Sequence, residues 1–154
     1  MTQETTDRGT SAARSALRLV ELRESPLDAA EVLAAVADPT AGGVNLFSGV
    51  VRDHDHDTAV DRLEYLAHPT ALDRLREVAA SVAGEFDVTA VAAVHRTGVL
   101  AIGDVAVLVA CSAAHRDSAY VASRALIDRL KNEVPIWKHQ ILADGTDEWV
   151  TPSH

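Results

Sequence analysis

Three observations predict a single α+β domain from this sequence. Val88–Val94 and Asp104–Ser112 are almost unbroken apolar stretches of strand length, and so read as buried strands. Segments beginning at Pro69 and at Ser118 place apolar residues at helical spacing. Strand-like and helix-like segments follow one another without strict alternation, which predicts a mixed, largely antiparallel sheet. The 154 residues, 47% of them hydrophobic, suit one domain with a real core and show no internal repeat or linker.

The elements follow in order. Residues 1–14 are polar, rich in Thr, Ser and Arg, and read as a disordered tail ahead of a domain over 15–154. They lack the apolar centre of a secretory signal. Ala16–Leu22 alternates as a strand. Ser25 as N-cap and Pro26 at the first helical position start a helix running to about Ala37. Ala41-Gly42-Gly43 breaks the chain before a strand over Val44–Val51, in which Gly49 marks a bulge or a close approach by another group. Arg52–Asp57 is a charged loop and Ala59–Ala67 a strand.

Pro69 then opens a helix whose Leu72, Leu75, Val78, Ala79 and Val82 share helical spacing. Thr97–Gly103 reads as a turn, so the strands on either side of it pair antiparallel. A helix over Ser118–Asn132 stops at Pro135, because the residue before proline disfavours helix. Ile136–Leu142 is a short strand, Asp144-Gly145 a turn, and Trp149-Val150 closes the fold.

Composition excludes several classes. A net charge of −9 argues against nucleic acid as the main partner. No apolar run approaches the roughly 20 residues needed to span a bilayer. The single cysteine, Cys111, cannot form an intramolecular disulfide and fits a reducing cytoplasm. Its apolar surroundings favour core packing over nucleophilic use. Asp53-His54-Asp55-His56-Asp57 looks like a metal site, but successive residues of an extended loop diverge and no downstream Cys or His completes a zinc spacing. A solvated charged loop is the expectation there, with no metal and no cofactor. The chain has no phosphate loop and no nucleophile elbow.

The basic residues are more informative. Of fourteen Lys plus Arg, only Lys131 and Lys138 are lysines, and they bracket one short segment. Arginine stays charged, whereas a lysine amine can be tuned to lose its proton and act as base or nucleophile. Two lysines so placed suit amine chemistry; chance survival on a solvated surface is the plainer alternative. His115-Arg116 stands at a helix start just past a strand, and Arg52 lies just past another strand. Both positions favour a phosphate or carboxylate pocket. His95-Arg96 also ends a strand but enters the glycine-containing turn, where structural use is an equal reading.

Seven segments in order carry a resemblance. They are Phe47-Ser-Gly-Val-Val-Arg52, Leu63-Glu-Tyr65, His95-Arg-Thr-Gly98, Gly103-Asp104, Ser112-Ala-Ala-His-Arg116, Lys131-Asn-Glu-Val-Pro-Ile-Trp-Lys138, and Gly145 followed by Trp149-Val150. From about Gly43 to Val150 the chain resembles the large, catalytic subunit of molybdopterin synthase, the MoaE family. Leu66 and His68 depart from the acidic and aromatic residues usual there.

The resemblance implies an α/β hammerhead fold, a cytoplasmic enzyme, and a homodimer within a heterotetramer. It implies a small ubiquitin-like, MoaD-like sulfur carrier as partner, whose C-terminal thiocarboxylate enters the site. It implies transfer of two sulfurs to cyclic pyranopterin monophosphate to form the dithiolene of molybdopterin. By position, Lys131 matches the principal catalytic lysine and Lys138 the second. Val50, Val51, Arg52, His115 and Arg116 match the substrate and anion pocket. His139 and Gln140 fall where residues line the same site, and Phe47 matches an aromatic near the carrier tail. Two other readings remain: a non-catalytic module gripping a ubiquitin-like tail, and an unrelated lysine-dependent lyase.

Overall fold

Residues 13, 15–55 and 58–150 are described in a computed structural model, and the expected N-terminal tail falls almost wholly outside them. The elements run β1 (Leu17–Arg23), α1 (Ala29–Val36), β2 (Gly43–Val50), β3 (His54–Asp55), β4 (Thr58–Ala67) and α2 (Ala71–Glu85). They continue with β5 (Ala90–Arg96), β6 (Gly98–Ala101), β7 (Val105–Ala113), α3 (Arg116–Glu133), β8 (Ile136–Leu142) and β9 (Asp147–Val150). The α+β class and the largely antiparallel pairing hold: among the described strands, only β1 and β5 pair in parallel.

A four-stranded sheet in the order β1-β5-β7-β2 forms the centre. Its inner strands are apolar on both faces because helices cover both. Val91, Ala93, Val107, Val109 and Cys111 meet Leu75, Val82, Leu126 and Leu130 of α2 and α3. The alternate residues Ala90, Ala92, Val94, Leu108 and Ala110 meet Val32 and Val36 of α1. Each of the fully buried leucines here contributes about 1.5–3 kcal/mol relative to exposure. The unbroken apolar runs thus follow from a three-layer arrangement.

The second sheet runs β3-β4-β8-β9, with β6 also on β4. A small cluster of Val51, Leu63, Leu100 and Ala106 joins it to the end of the first sheet. Val51 is pinned there by two backbone bonds, donating to the Asp104 carbonyl at 2.9 Å and accepting from the Gly103 N–H at 2.8 Å. Gly103 reaches this position at φ +89°, a region that glycine adopts freely.

Four local expectations change. The first helix starts at Ala29, because Asp28 rather than Ser25 is its cap, accepting from the Ala30 N–H at 2.9 Å. The second starts at Ala71, with Thr70 rather than Pro69 at its entry. The expected turn over Thr97–Gly103 contains β6, and the expected charged loop contains β3. Both are short strands held by β4. Gly49 is both a bulge and a close approach: the β2–β7 register shifts between Gly49 and Val50, and a Cβ on Gly49 would lie 2.6 Å from Val107 Cγ1.

Candidate active site

Where β2 leaves the first sheet, a cleft of about 400 Å³ opens between the two sheets and the C-terminal end of α3. Lys131 enters it from the last turn of α3, where the helix dipole favours a cation. Val134 ends that helix and Ile136 begins β8, so Lys138 returns on the adjoining strand. The proline between them converts a seven-residue separation into two amines on one cleft. Val50, Val51 and Arg52 line it from the end of β2.

Lys138 is the more enclosed amine site, with 27% of its side chain exposed and Nζ 4.0 Å from Asp55 Oδ2. Burial is the main force pulling its pKa below the ordinary lysine range. Asp55 opposes that, Lys131 and Arg52 add to it, and Glu148 opposes it. Asp55 also stands 3.6 Å from Arg52 Nη2 through its other oxygen. Gln140 is buried, and its Nε2 donates to Asp55 Oδ2 at 2.7 Å and to Glu148 Oε1 at 2.8 Å. Both amide hydrogens of Gln140 are therefore committed to carboxylates, which leaves its carbonyl for any ligand.

Two neutral groups complete the wall. His95 is buried, with Nδ1 2.7 Å from the Arg96 carbonyl oxygen. A carbonyl only accepts, so Nδ1 carries the proton and Nε2 keeps a lone pair. Burial pushes the His95 pKa down to about 4, against the pull of the Arg96 carbonyl and with help from the Lys131 charge. Tyr65 meets the imidazole edge-on at 4.8 Å between centroids, and burial raises its pKa to about 12. Arg96 has a structural use, pairing with Asp104 Oδ2 at 3.2 Å and donating to the Glu24 carbonyl. Cys111 lies in the core, its thiol pushed up to about 12 by burial.

The cleft gathers Val50, Val51, Arg52, Lys131, Lys138 and Gln140 among the residues named from sequence. His139 is not among its lining residues. It alternates with Lys138 and Gln140 on β8, bonds Asp147 Oδ2 at 2.6 Å and stacks on Trp149 at 4.4 Å. Phe47 lines a separate groove with Tyr120 and Val121, though a Cβ on Gly49 would come within 3.4 Å of its ring. His115 and Arg116 begin α3 whereas Lys131 ends it. Fifteen residues at 1.5 Å each put the two ends about 22 Å apart. One chain therefore does not bring this pair to its own cleft. Among the cleft's polar residues, His54, Asp55, Tyr65 and His95 are not singled out for the site by sequence. Asp55 sat in a segment read as solvated, and His95 in one read as equally structural.

Fold and cleft together describe an α+β domain with a half-enclosed basic pocket suited to a small anionic ligand, two amines and a guanidinium facing it. The family model described as MoaE protein matches residues 22–133. The chain is 43% identical over 139 residues to molybdopterin synthase catalytic subunit 1 of Mycobacterium tuberculosis, covering 90% of this chain and 94% of that protein. It is 36% identical to the molybdopterin synthase catalytic subunit of Bacillus subtilis, covering 84% and 83% respectively. The X-ray structure of molybdopterin synthase from Staphylococcus aureus superposes with a TM-score of 0.80 at 33% identity, covering 85% of this chain and 96% of that one. The chain belongs to the MoaE family.

Proposed function

We propose that this chain is the catalytic subunit of a molybdopterin synthase, an enzyme of molybdenum cofactor biosynthesis. In this reading it is a sulfurtransferase, moving sulfur from the thiocarboxylated C-terminus of a small ubiquitin-like carrier to cyclic pyranopterin monophosphate. The observation that carries the reading is the convergence of Lys131, Lys138 and Arg52 on one cleft in a chain of this family. Both reactants are anions, and the cleft supplies fixed positive charge where they would meet. The carrier brings the sulfur, so buried Cys111 has no part in the chemistry.

Lys131 acts as acid/base or forms a transient covalent link to carrier or substrate, and Lys138 binds substrate beside it. His115 and Arg116 can serve a cleft only from a second copy, since their own lies about 22 Å away along α3. A homodimer within a heterotetramer supplies that second copy, and Phe47 then flanks the path of the carrier tail.

The direct test mixes the chain with thiocarboxylated carrier and precursor and follows dithiolene product. Product formation supports the reading; carrier binding without product favours a non-catalytic tail-binding module. Mixing inactive Lys131→Ala with inactive Arg116→Ala chains tests the shared site: recovered activity supports it, and none argues that each cleft works alone.

A further inference from the structure

We propose that Asp55 is a positioning residue for Lys138: Gln140 anchors its carboxylate, which in turn holds the Lys138 amine against the cleft wall beside Arg52. The contact stands on geometry alone; only its catalytic consequence rests on the function proposed above.

Three strands deliver the arrangement, and β3 is distant in sequence from the consecutive β8 and β9. Gln140 on β8 and Glu148 on β9 are opposed in register, and Asp55 comes from β3 on the far side of β4. The Asp55 side chain is 13% exposed, whereas that of Arg52 is 75% exposed. A carboxylate so enclosed needs hydrogen-bond donors, and the 2.7 Å bond from Gln140 Nε2 supplies one. That bond fixes Oδ2, the same oxygen that lies 4.0 Å from Lys138 Nζ. Asp55 is thus held independently of Lys138 and presents a charge to it. Glu148, bound to the other amide hydrogen of Gln140, fixes the amide itself.

Lys138 is crowded by like charges, Lys131 from α3 and Arg52 from the end of β2. The opposing charges are Asp55 and the more exposed Glu148. His54, His95 and Tyr65 line the same cleft from β3, β5 and β4. Without Asp55, the Lys138 amine faces two cations with one weak counter-charge. It then gives up its proton more readily and turns towards solvent. Arg52 is fully able to find water, so Lys138 is the residue that depends on Asp55.

With only two lysines in the chain, lysine labelled with ¹³C at Cε yields two resonances, and Lys131→Arg assigns them. In Asp55→Asn the Lys138 titration midpoint falls by about one pH unit, as expected when an opposite charge about 4 Å away is removed. Asp55→Glu restores most of the difference. An unmoved Lys138 midpoint in folded Asp55→Asn overturns the proposal. Should that variant not fold, Glu148→Gln leaves Asp55 as the carboxylate beside Lys138. Its Lys138 resonance must then show a second inflection in the carboxylate range, and a featureless acid limb overturns the proposal equally. Neither measurement uses carrier or pterin. In the sulfur-transfer assay, the alkaline limb of the Asp55→Asn rate profile shifts to lower pH by the same amount. An intact pairing in a chain without sulfur transfer would count against the function alone.

Discussion

Replacing Gln140 with leucine isolates the amide that ties β8 to β3 and β9. Gln140 is 2% exposed and donates at 2.7 and 2.8 Å to two carboxylates. Hydrogen bonds to charged groups contribute about 1.5–3 kcal/mol each. Glu148 is exposed and recovers water when its donor goes, so that bond contributes near or below the bottom of the range. Asp55, at 13% side-chain exposure, recovers much less and carries most of the cost. Leucine returns about 1 kcal/mol through its added apolar burial. The net loss is therefore about 2 kcal/mol, or roughly 4–8 °C in Tm for a chain of this size. Urea unfolding at neutral pH of wild type, Gln140→Leu, Asp55→Ala and the double variant measures it. The two losses should be non-additive by about 1 kcal/mol or more, because both variants remove the same bond. A loss below about 0.5 kcal/mol, or simple additivity, would refute the bridging argument.

Other outcomes follow from the same geometry. His95 titrates at about 4 when folded against an ordinary 6.5, so the unfolded chain binds the extra proton between those values. Its contribution to stability is complete above 6.5 and drains as pH falls towards 4. Wild-type stability should drop by about 2 kcal/mol between pH 7 and 5, and His95→Phe should flatten that interval; parallel curves would contradict it. Lys131→Ala should lower the rate of dithiolene formation by about 10²–10⁴-fold, with Lys131→Arg failing to rescue it. Near wild-type turnover would remove Lys131 from the mechanism. Gly49→Ala should cost about 1–3 kcal/mol by driving a Cβ into the stiff, buried Val107, measurable by thermal melting. An unchanged Tm would mean that the bulge relaxes without strain.

How much of this was legible beforehand depends on the range of the interaction. The strands over Ala90–Arg96 and Val105–Ala113 announced themselves because a strand covered by helices on both faces must be apolar throughout. The two lysines stood out by composition, and Pro135 between them marked the change from helix to strand. Strand alternation, applied to Ile136–Leu142, would also have separated His139 from Lys138 and Gln140.

The remainder depended on pairing at a distance. β3 is two residues long and β6 four, too short for any period to declare them, and each exists because β4 offers a backbone partner. Asp55 read as a solvated residue until β3 and β8 brought it against Lys138 and Gln140. His115 and Arg116 shared the anion chemistry of Arg52, but chemistry does not encode separation, and the rigid length of α3 keeps them from their own cleft. Sequence alone determined the fold class, the core strands, the candidate site residue types and the family resemblance. These rest on local periodicity, composition and motifs in order. Only the tertiary structure decided which charges meet, because a charged side chain's neighbours come from strands and helices far along the chain, joined by backbone pairing and core packing.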